Sequence, residues 1–197
     1  MNVTQPSPQS KRFGLNSMGD FLKKYWSAYL FLFLIGGILI GFDQWTKALV
    51  RASVPLGSDW LPAGLNWLMP YARIRYWYNS GAAFGIFQNG NLVFTILAIL
   101  VTLLILYYYP LTVREGWYLR LAMAMQFAGA DGNLIDRLRF GHVTDFISVG
   151  NFAIFNISDA SISVGVVVLI LGVWWKERAD KRRAGVAAAP DHEAGGE

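Results

Sequence analysis

The sequence predicts an all-α membrane protein of four transmembrane helices, with a small extramembrane β-sheet and loop region on the outer side. Three observations predict it. The chain is 54% apolar and 15% aromatic, with 8 Trp and 13 Phe in 197 residues, too apolar for an ordinary soluble domain of this length. Its apolar residues gather into four long blocks. Its basic residues concentrate beside the ends of those blocks, where they set membrane topology. The length allows one domain or one small helical bundle. Residues 1–24 read as a polar N-terminal segment, 25–176 as the membrane domain, and 177–197 as a disordered tail rich in Ala, Gly and acid.

The first block, Tyr25 to Phe42, carries no charge and is long enough to span a hydrocarbon core. Gly41-Phe42-Asp43-Gln44 offers no small-x-small cleavage site, so a retained helix is expected here and not a signal peptide. The second block, Asn91 to Val113, is also uncharged. It ends on Tyr107-Tyr108-Tyr109, an interfacial aromatic belt, and Pro110 helps terminate it. The third, Trp117 to Ile135, is weaker because it contains Arg120, Gln126, Asp131 and Asn133. The fourth, Ile154 to Trp175, closes on Trp174-Trp175-Lys176.

Four spans place both termini on one side. Lys11, Arg12, Lys23 and Lys24 precede the first span, Arg114 and Arg120 flank the second turn, and Lys176, Arg178, Lys181, Arg182 and Arg183 follow the last. The positive-inside rule makes that side cytoplasmic. Asp43, Asp136 and Asp159 then gather on the outer side. Lys47, Arg51, Arg73, Arg75, Arg137 and Arg139 lie there too and need another explanation than topology.

The long outer loop of residues 44–90 requires structure of its own. Tyr71 to Tyr78 alternates Arg73 and Arg75 with Ile74, Tyr76 and Tyr78, a strand period. Trp60 to Met69 is suited to the headgroup region. In the second outer loop, Gly150-Asn151 between apolar runs signals a two-residue hairpin. That register sets Val149 against Phe152, Ile147 against Ile154 and Asp145 against Asn156, with Asp159 about one helical turn further on.

Chemistry is narrowed by what is missing. There is no Cys, and the two histidines, His142 and His192, are too few for a histidine metal cluster. No metal or cofactor is expected. The charge pattern is a topology signal and not a nucleic-acid patch. Asp145 and Asp159 stand at the hydrophobic edge, where ionisable groups are functional by default. Two carboxylates held close in a poorly solvated site share a proton, so one serves as general base on water while the other polarises a carbonyl oxygen. Asn133, Asn156 and Arg137 would supply hydrogen bonds to a peptide backbone or developing oxyanion.

Structural roles compete with these. Asp159, Asn156 or Ser158 could cap the fourth helix. Asp131 and Asp136 could pair with Arg137 and Arg139, and Asp136 reads as a supporting residue. Asp43 and Lys47 stand at i, i+4, an ion-pair spacing. Gly37 to Gly41 is a GxxxG match expected to serve helix packing within the fold. A non-catalytic or proton-coupled small membrane transporter is the alternative reading, although the paired repeats expected of one are missing.

Five runs together resemble the lipoprotein signal peptidase (signal peptidase II) family. They are FDQWTK (Phe42 to Lys47), NSGAAFGIF (Asn79 to Phe87), GNLIDR (Gly132 to Arg137), VTDF (Val143 to Phe146) and FNISD (Phe155 to Asp159). The resemblance implies a multi-pass aspartic endopeptidase of the bacterial inner membrane, with both termini cytoplasmic and the active site at the periplasmic side. It implies cleavage of lipid-modified prolipoproteins just before the lipidated cysteine. Asp145 and Asp159 would be catalytic, Asn79, Asn133, Arg137 and Asn156 would hold substrate, and Asp43, Lys47, Gly81 and Asp136 would support the site. The extramembrane sheet containing Arg73 and Arg75 would cradle substrate. The cyclic peptide globomycin is expected to bind the same cleft of a monomeric enzyme in the lipid bilayer. The chain departs from the family pattern at Ser158, where Ala is usual, at Asp131, where a small residue is usual, and in a shorter separation between VTDF and FNISD.

Overall fold

The computed structural model describes residues 15–81 and 90–187. Residues 1–14, residues 82–89 with most of the small-residue turn, and the tail from residue 188 lie outside the described residues. Four long helices dominate: α1 (Leu15–Ser53), α2 (Asn91–Tyr108), α3 (Trp117–Phe140) and α4 (Ile157–Ala187). Three of them contain segments long and apolar enough to cross a membrane: Tyr25–Ser53, Asn91–Thr112 and Ile157–Ala184.

The third block forms α3, which packs against α1, α2 and α4. Enclosure by the other three explains its weak hydropathy, since a helix facing protein needs small residues more than apolar ones. Six of its nine buried residues are Ala or Gly: Ala122, Ala124, Ala128, Gly129, Ala130 and Gly132. Gly141 ends it with φ +76°, and its N–H bonds back to the Arg137 carbonyl, a left-handed stop that glycine adopts without a Cβ penalty.

One apolar core joins Ala28 and Leu32 of α1, Ile105 and Tyr109, and Ala124 and Phe127 of α3. The Tyr29 hydroxyl donates to the Leu106 carbonyl at 2.8 Å. Of the expected tyrosine belt, Tyr107 and Tyr108 face outward while Tyr109 is fully buried. Pro110 lies in the 3-10 segment Tyr109–Arg114 that ends this span. The GxxxG expectation is corrected: a Cβ at Gly37 or Gly41 would meet nothing, and Gly36 is the glycine held against Phe127.

The segments that follow α1 and α3 build a three-stranded antiparallel sheet of β1 (Asp59–Trp60), β2 (Ala72–Asn79) and β3 (Val143–Val149), in that order. The alternation seen from Tyr71 to Tyr78 is β2. Its partner is β3, with Arg73 opposite Ser148, Trp77 opposite Asp145 and Asn79 opposite Val143, and an irregularity between Ile74 and Trp77. Trp60, Leu65 and Trp67 are exposed beside it. A second core of Val50, Val54, Tyr76 and Phe146 fastens the sheet to the end of α1.

The expected hairpin turn is present at Gly150 (φ +50°), with the Phe152 N–H donating to the Val149 carbonyl at 2.9 Å. Its register differs by one residue. Ile147 faces Phe155, not Ile154, because the Phe155 carbonyl accepts from both Phe146 and Ile147. That doubled bond inserts a bulge and lets the chain leave the strand directly into α4.

Candidate active site

The end of α1 delivers a charged stripe. Asp43, Lys47 and Arg51 recur every four residues and therefore share one helix face. Lys47 is fully buried and its ammonium reaches Asp43 at 2.9 Å and Asp136 of α3 at 3.4 Å. Its third donor goes to Asn133 Oδ1 at 2.9 Å. The two carboxylates also accept backbone donors, Asp43 through the oxygen that Lys47 leaves free and Asp136 through the same oxygen that faces Lys47. Asp43 Oδ1 accepts the Ser158 N–H at 2.9 Å, and Asp136 Oδ2 accepts the Thr144 N–H at 2.9 Å. One caged lysine thus ties α1, α3, β3 and α4 together. The expected i, i+4 pair is present, while the expected pairing of Asp136 with Arg137 or Arg139 is corrected. Asp136 lies on the side of α3 that faces α1, so its cations are Lys47 and Arg51 (3.8 Å).

Asp131 likewise has no arginine partner among the described residues. Thr102 of α2 donates to it at 2.6 Å. Arg137 projects the other way, with its guanidinium over the Phe94 ring at 5.5 Å.

Beside the cage lie Asp145 on β3 and Asp159 in the first turn of α4. They are joined through Asn156, whose Nδ2 donates to Asp145 Oδ1 at 2.7 Å and whose backbone N–H donates to Asp159 Oδ2 at 3.1 Å. The Asp159 N–H returns a bond to Asn156 Oδ1 at 3.0 Å. This reciprocal pair is a capping box, so Asn156 is the cap of α4 and Asp159 is fixed by the same motif that starts the helix.

Two further amides complete the setting. Asn79 Nδ2 donates to Asp145 Oδ2 at 2.8 Å, and Asn133 Nδ2 donates to Asp159 Oδ1 at 2.8 Å. Each asparagine is oriented by a group that can only donate. The Gly81 N–H holds Asn79 Oδ1, the Lys47 ammonium holds Asn133 Oδ1, and the Asp159 N–H holds Asn156 Oδ1. All three NH₂ groups are consequently turned towards the two carboxylates. Burial, and then the charge of Asp159, push the Asp145 carboxyl up to about 7, against the lowering effect of the Asn79 and Asn156 bonds.

A cleft of about 600 Å³ opens onto this cluster. Asn79, Gly81, Asn133, Arg137 and Asp159 line its polar side, and Phe94, Phe152, Ile154, Phe155 and Ile162 its apolar side. Asp145 lies beneath, 1% exposed. Such a cleft suits an extended chain with apolar side chains. Among the described residues, no group of three or more His, Asp or Glu is arranged to hold a metal ion.

The sequence reading missed Gln44, Arg51 and Thr144. Gln44 Nε2 touches Asp43, the Gly132 carbonyl and Asp136 at 3.0–3.2 Å. Arg51 donates to Thr144 Oγ1 at 2.9 Å and lies over the Phe140 ring at 4.5 Å. Their positions one residue after Asp43 and one turn after Lys47 were the available signal. Arg73 and Arg75, expected to cradle substrate, both pair with Asp59. The departure at Ser158 adds no bond, since its buried hydroxyl has no hydrogen-bond partner.

Apolar spans around a shielded carboxylate cluster define the class: a membrane enzyme. The chain resembles a bacterial membrane enzyme solved by the in meso method at 2.3 Å, with TM-score 0.67, 28% identity, and coverage of 83% of this chain and 94% of that one. A second such enzyme, solved at 1.9 Å, gives TM-score 0.63 at 30% identity over 72% and 91%. Residues 35–175 match the family model of Signal peptidase (SPase) II. The chain is 36% identical to the lipoprotein signal peptidase of Streptococcus thermophilus (strain CNRZ 1066) over 71% of this chain and 89% of the relative. It is 34% identical to that of Bartonella tribocorum (strain CIP 105476 / IBS 506) over 76% and 92%. The chain belongs to the signal peptidase II family and is a membrane peptidase.

Proposed function

We propose that this protein is an aspartic endopeptidase that removes the signal peptide from diacylglyceryl-modified prolipoproteins, cleaving before the lipidated cysteine with Asp145 and Asp159 as the catalytic pair. The observation that carries the reading is the convergence of three oriented amides, from Asn79, Asn133 and Asn156, on a buried carboxylate, Asp145, and a half-buried one, Asp159, which have no directly paired cation among the described residues. Such a pair keeps one proton between its members. The ionised member takes a proton from water, whose oxygen adds to the scissile carbonyl carbon. The protonated member polarises the carbonyl oxygen. Collapse of the tetrahedral species breaks the C–N bond, and the proton gained from water passes to the leaving amine. Arg137 and Asn133, at the cleft wall, hold the substrate backbone.

The membrane domain of residues 25–176 sits in the bacterial inner membrane as four spans, α3 being the fourth by virtue of its enclosure. Both flanking segments are cytoplasmic, and the sheet and cleft lie at the periplasmic face. The enzyme acts as a monomer, and globomycin occupies the cleft. The test is cleavage of a lipid-modified prolipoprotein in detergent by wild type, Asp145→Asn and Asp159→Asn. Folded variants that bind globomycin yet do not cleave support the pair. Cleavage retained by either variant removes that residue from the mechanism, and equal cleavage of unlipidated precursor removes the substrate assignment.

A further inference from the structure

We propose that the end of the bundle opposite the carboxylates carries a binding site for an anionic phospholipid, built from one face of α4 and the start of α3. Two adjoining hollows form it. An apolar groove of about 440 Å³ is lined by Trp117, Tyr118, Val168, Leu171 and Gly172. A cationic hollow of about 500 Å³ is lined by Trp174, Arg178, Arg182 and Arg183. Trp175 and Ala179 line both, so the two are continuous along the helix.

The arrangement is one-sided. At 3.6 residues per turn, residues 168, 171, 175, 178, 179 and 182 fall on one face of α4. Glu177 and Asp180 fall on the opposite face, away from Arg178 and Arg182. The Arg178 guanidinium stacks over the Trp174 ring at 4.2 Å, which holds it at the rim. Lys176 is committed to Glu115 at 2.8 Å and closes the groove wall. Topology alone asks for basic residues near the membrane. It does not ask for two on one face, with Arg183 beside them lining the same hollow, at the mouth of an apolar groove. Ten residues of helix, about 15 Å, separate Gly172 from Arg182, so acyl chain and charged head are received at different depths. Gly172 lets Tyr118 lie directly against α4 as the groove's wall, because a Cβ there would collide with the Tyr118 side chain and displace it. The inference presupposes that α4 crosses the bilayer and is independent of which residues cleave substrate.

The test is native mass spectrometry of the protein from micelles containing phosphatidylglycerol or phosphatidylcholine with identical chains. Wild type is expected to retain phosphatidylglycerol roughly tenfold better or more, given about 1 kcal/mol for each basic residue at a membrane surface. The triple variant Arg178→Gln, Arg182→Gln, Arg183→Gln is expected to lose that preference. Gly172→Ala, with all charges intact, is expected to reduce retention several-fold, and glycerol phosphate at millimolar concentration is expected not to compete. Equal retention of the two lipids by wild type overturns the site, as does a preference that survives in the triple variant. Undiminished binding by Gly172→Ala, or competition by glycerol phosphate, overturns the groove and leaves a surface charge effect. Cleavage in detergent serves as the folding control for every variant.

Discussion

Two pairs of carboxylates, three of the four acids buried and Asp159 half-buried, lie side by side in this protein and are stabilised by different means. Asp43 and Asp136 surround an ammonium, Lys47, at 2.9 and 3.4 Å. Asp145 and Asp159 receive amide donors and, among the described residues, no cation within ion-pair distance. The first arrangement compensates both acids with a buried cation, and the same carboxylates hold backbone N–H groups of β3 and α4. The second leaves a proton with somewhere to go. The contrast teaches that a buried carboxylate becomes structural when charge compensates it, and reactive when only dipoles do.

Breaking the cage should give the largest effect. Lys47→Met leaves two acids buried without their cation and is expected to cost about 3–5 kcal/mol of stability, read by denaturant unfolding in detergent. A loss under about 1 kcal/mol would erase the distinction between the two pairs. On the other side, Asn156→Ala removes the donor that bridges Asp145 and Asp159. Turnover is expected to fall about a hundredfold, with KM little changed and a cap loss of about 1 kcal/mol in stability. Retained turnover would mean that the amides merely fill space.

Titration sharpens the comparison further. With Asp145 pushed up to about 7, kcat/KM is expected to fall about tenfold per pH unit above pH 7, because the pair must keep one proton. Stability carries the same signature. The unfolded aspartate releases its proton near pH 4, whereas the folded one holds it to about pH 7, so the folded state binds more protons in between. Stability therefore declines as pH rises from about 4 to about 7 and levels off above that. Asp145→Asn should flatten this slope, and an equally steep slope in the variant would assign it elsewhere. The smallest effect belongs to the partly exposed Arg75–Asp59 pair on the sheet: Asp59→Asn is expected to change stability by less than about 1 kcal/mol.

Much of this was legible in the residues, and the misses share a cause. Apolar runs located all four helices but ended α1 at Phe42, because a run of apolar residues measures contact with lipid and stops where lipid stops. The helix continues to Ser53 because Asp43, Lys47 and Arg51 satisfy one another and their partners. Asp145, Asp159 and their asparagines stood out as polar groups at a hydrophobic edge, and the turn at Gly150 brought them near each other before any coordinate did. The exact register was out of reach, since the bulge at Phe155 depends on a doubled carbonyl bond and leaves no residue-type signature. Thr144 was invisible, and Gln44 was marked only by its place beside Asp43, for the opposite reason. Their side chains are ordinary, and only the packing of α1 against α3 and β3 gives them partners.

The four-residue spacing of Asp43 and Lys47 also bears on how the chain enters a membrane. Both charges lie on the same helix, so they are able to neutralise each other while α1 is the sole segment inserted, before Asp136, Asn133 or Ser158 has been synthesised. In the folded protein Asp136, Asn133 and Ser158 add their contacts to a pair that is already charge-compensated within α1, so no later segment has to supply the first counter-ion.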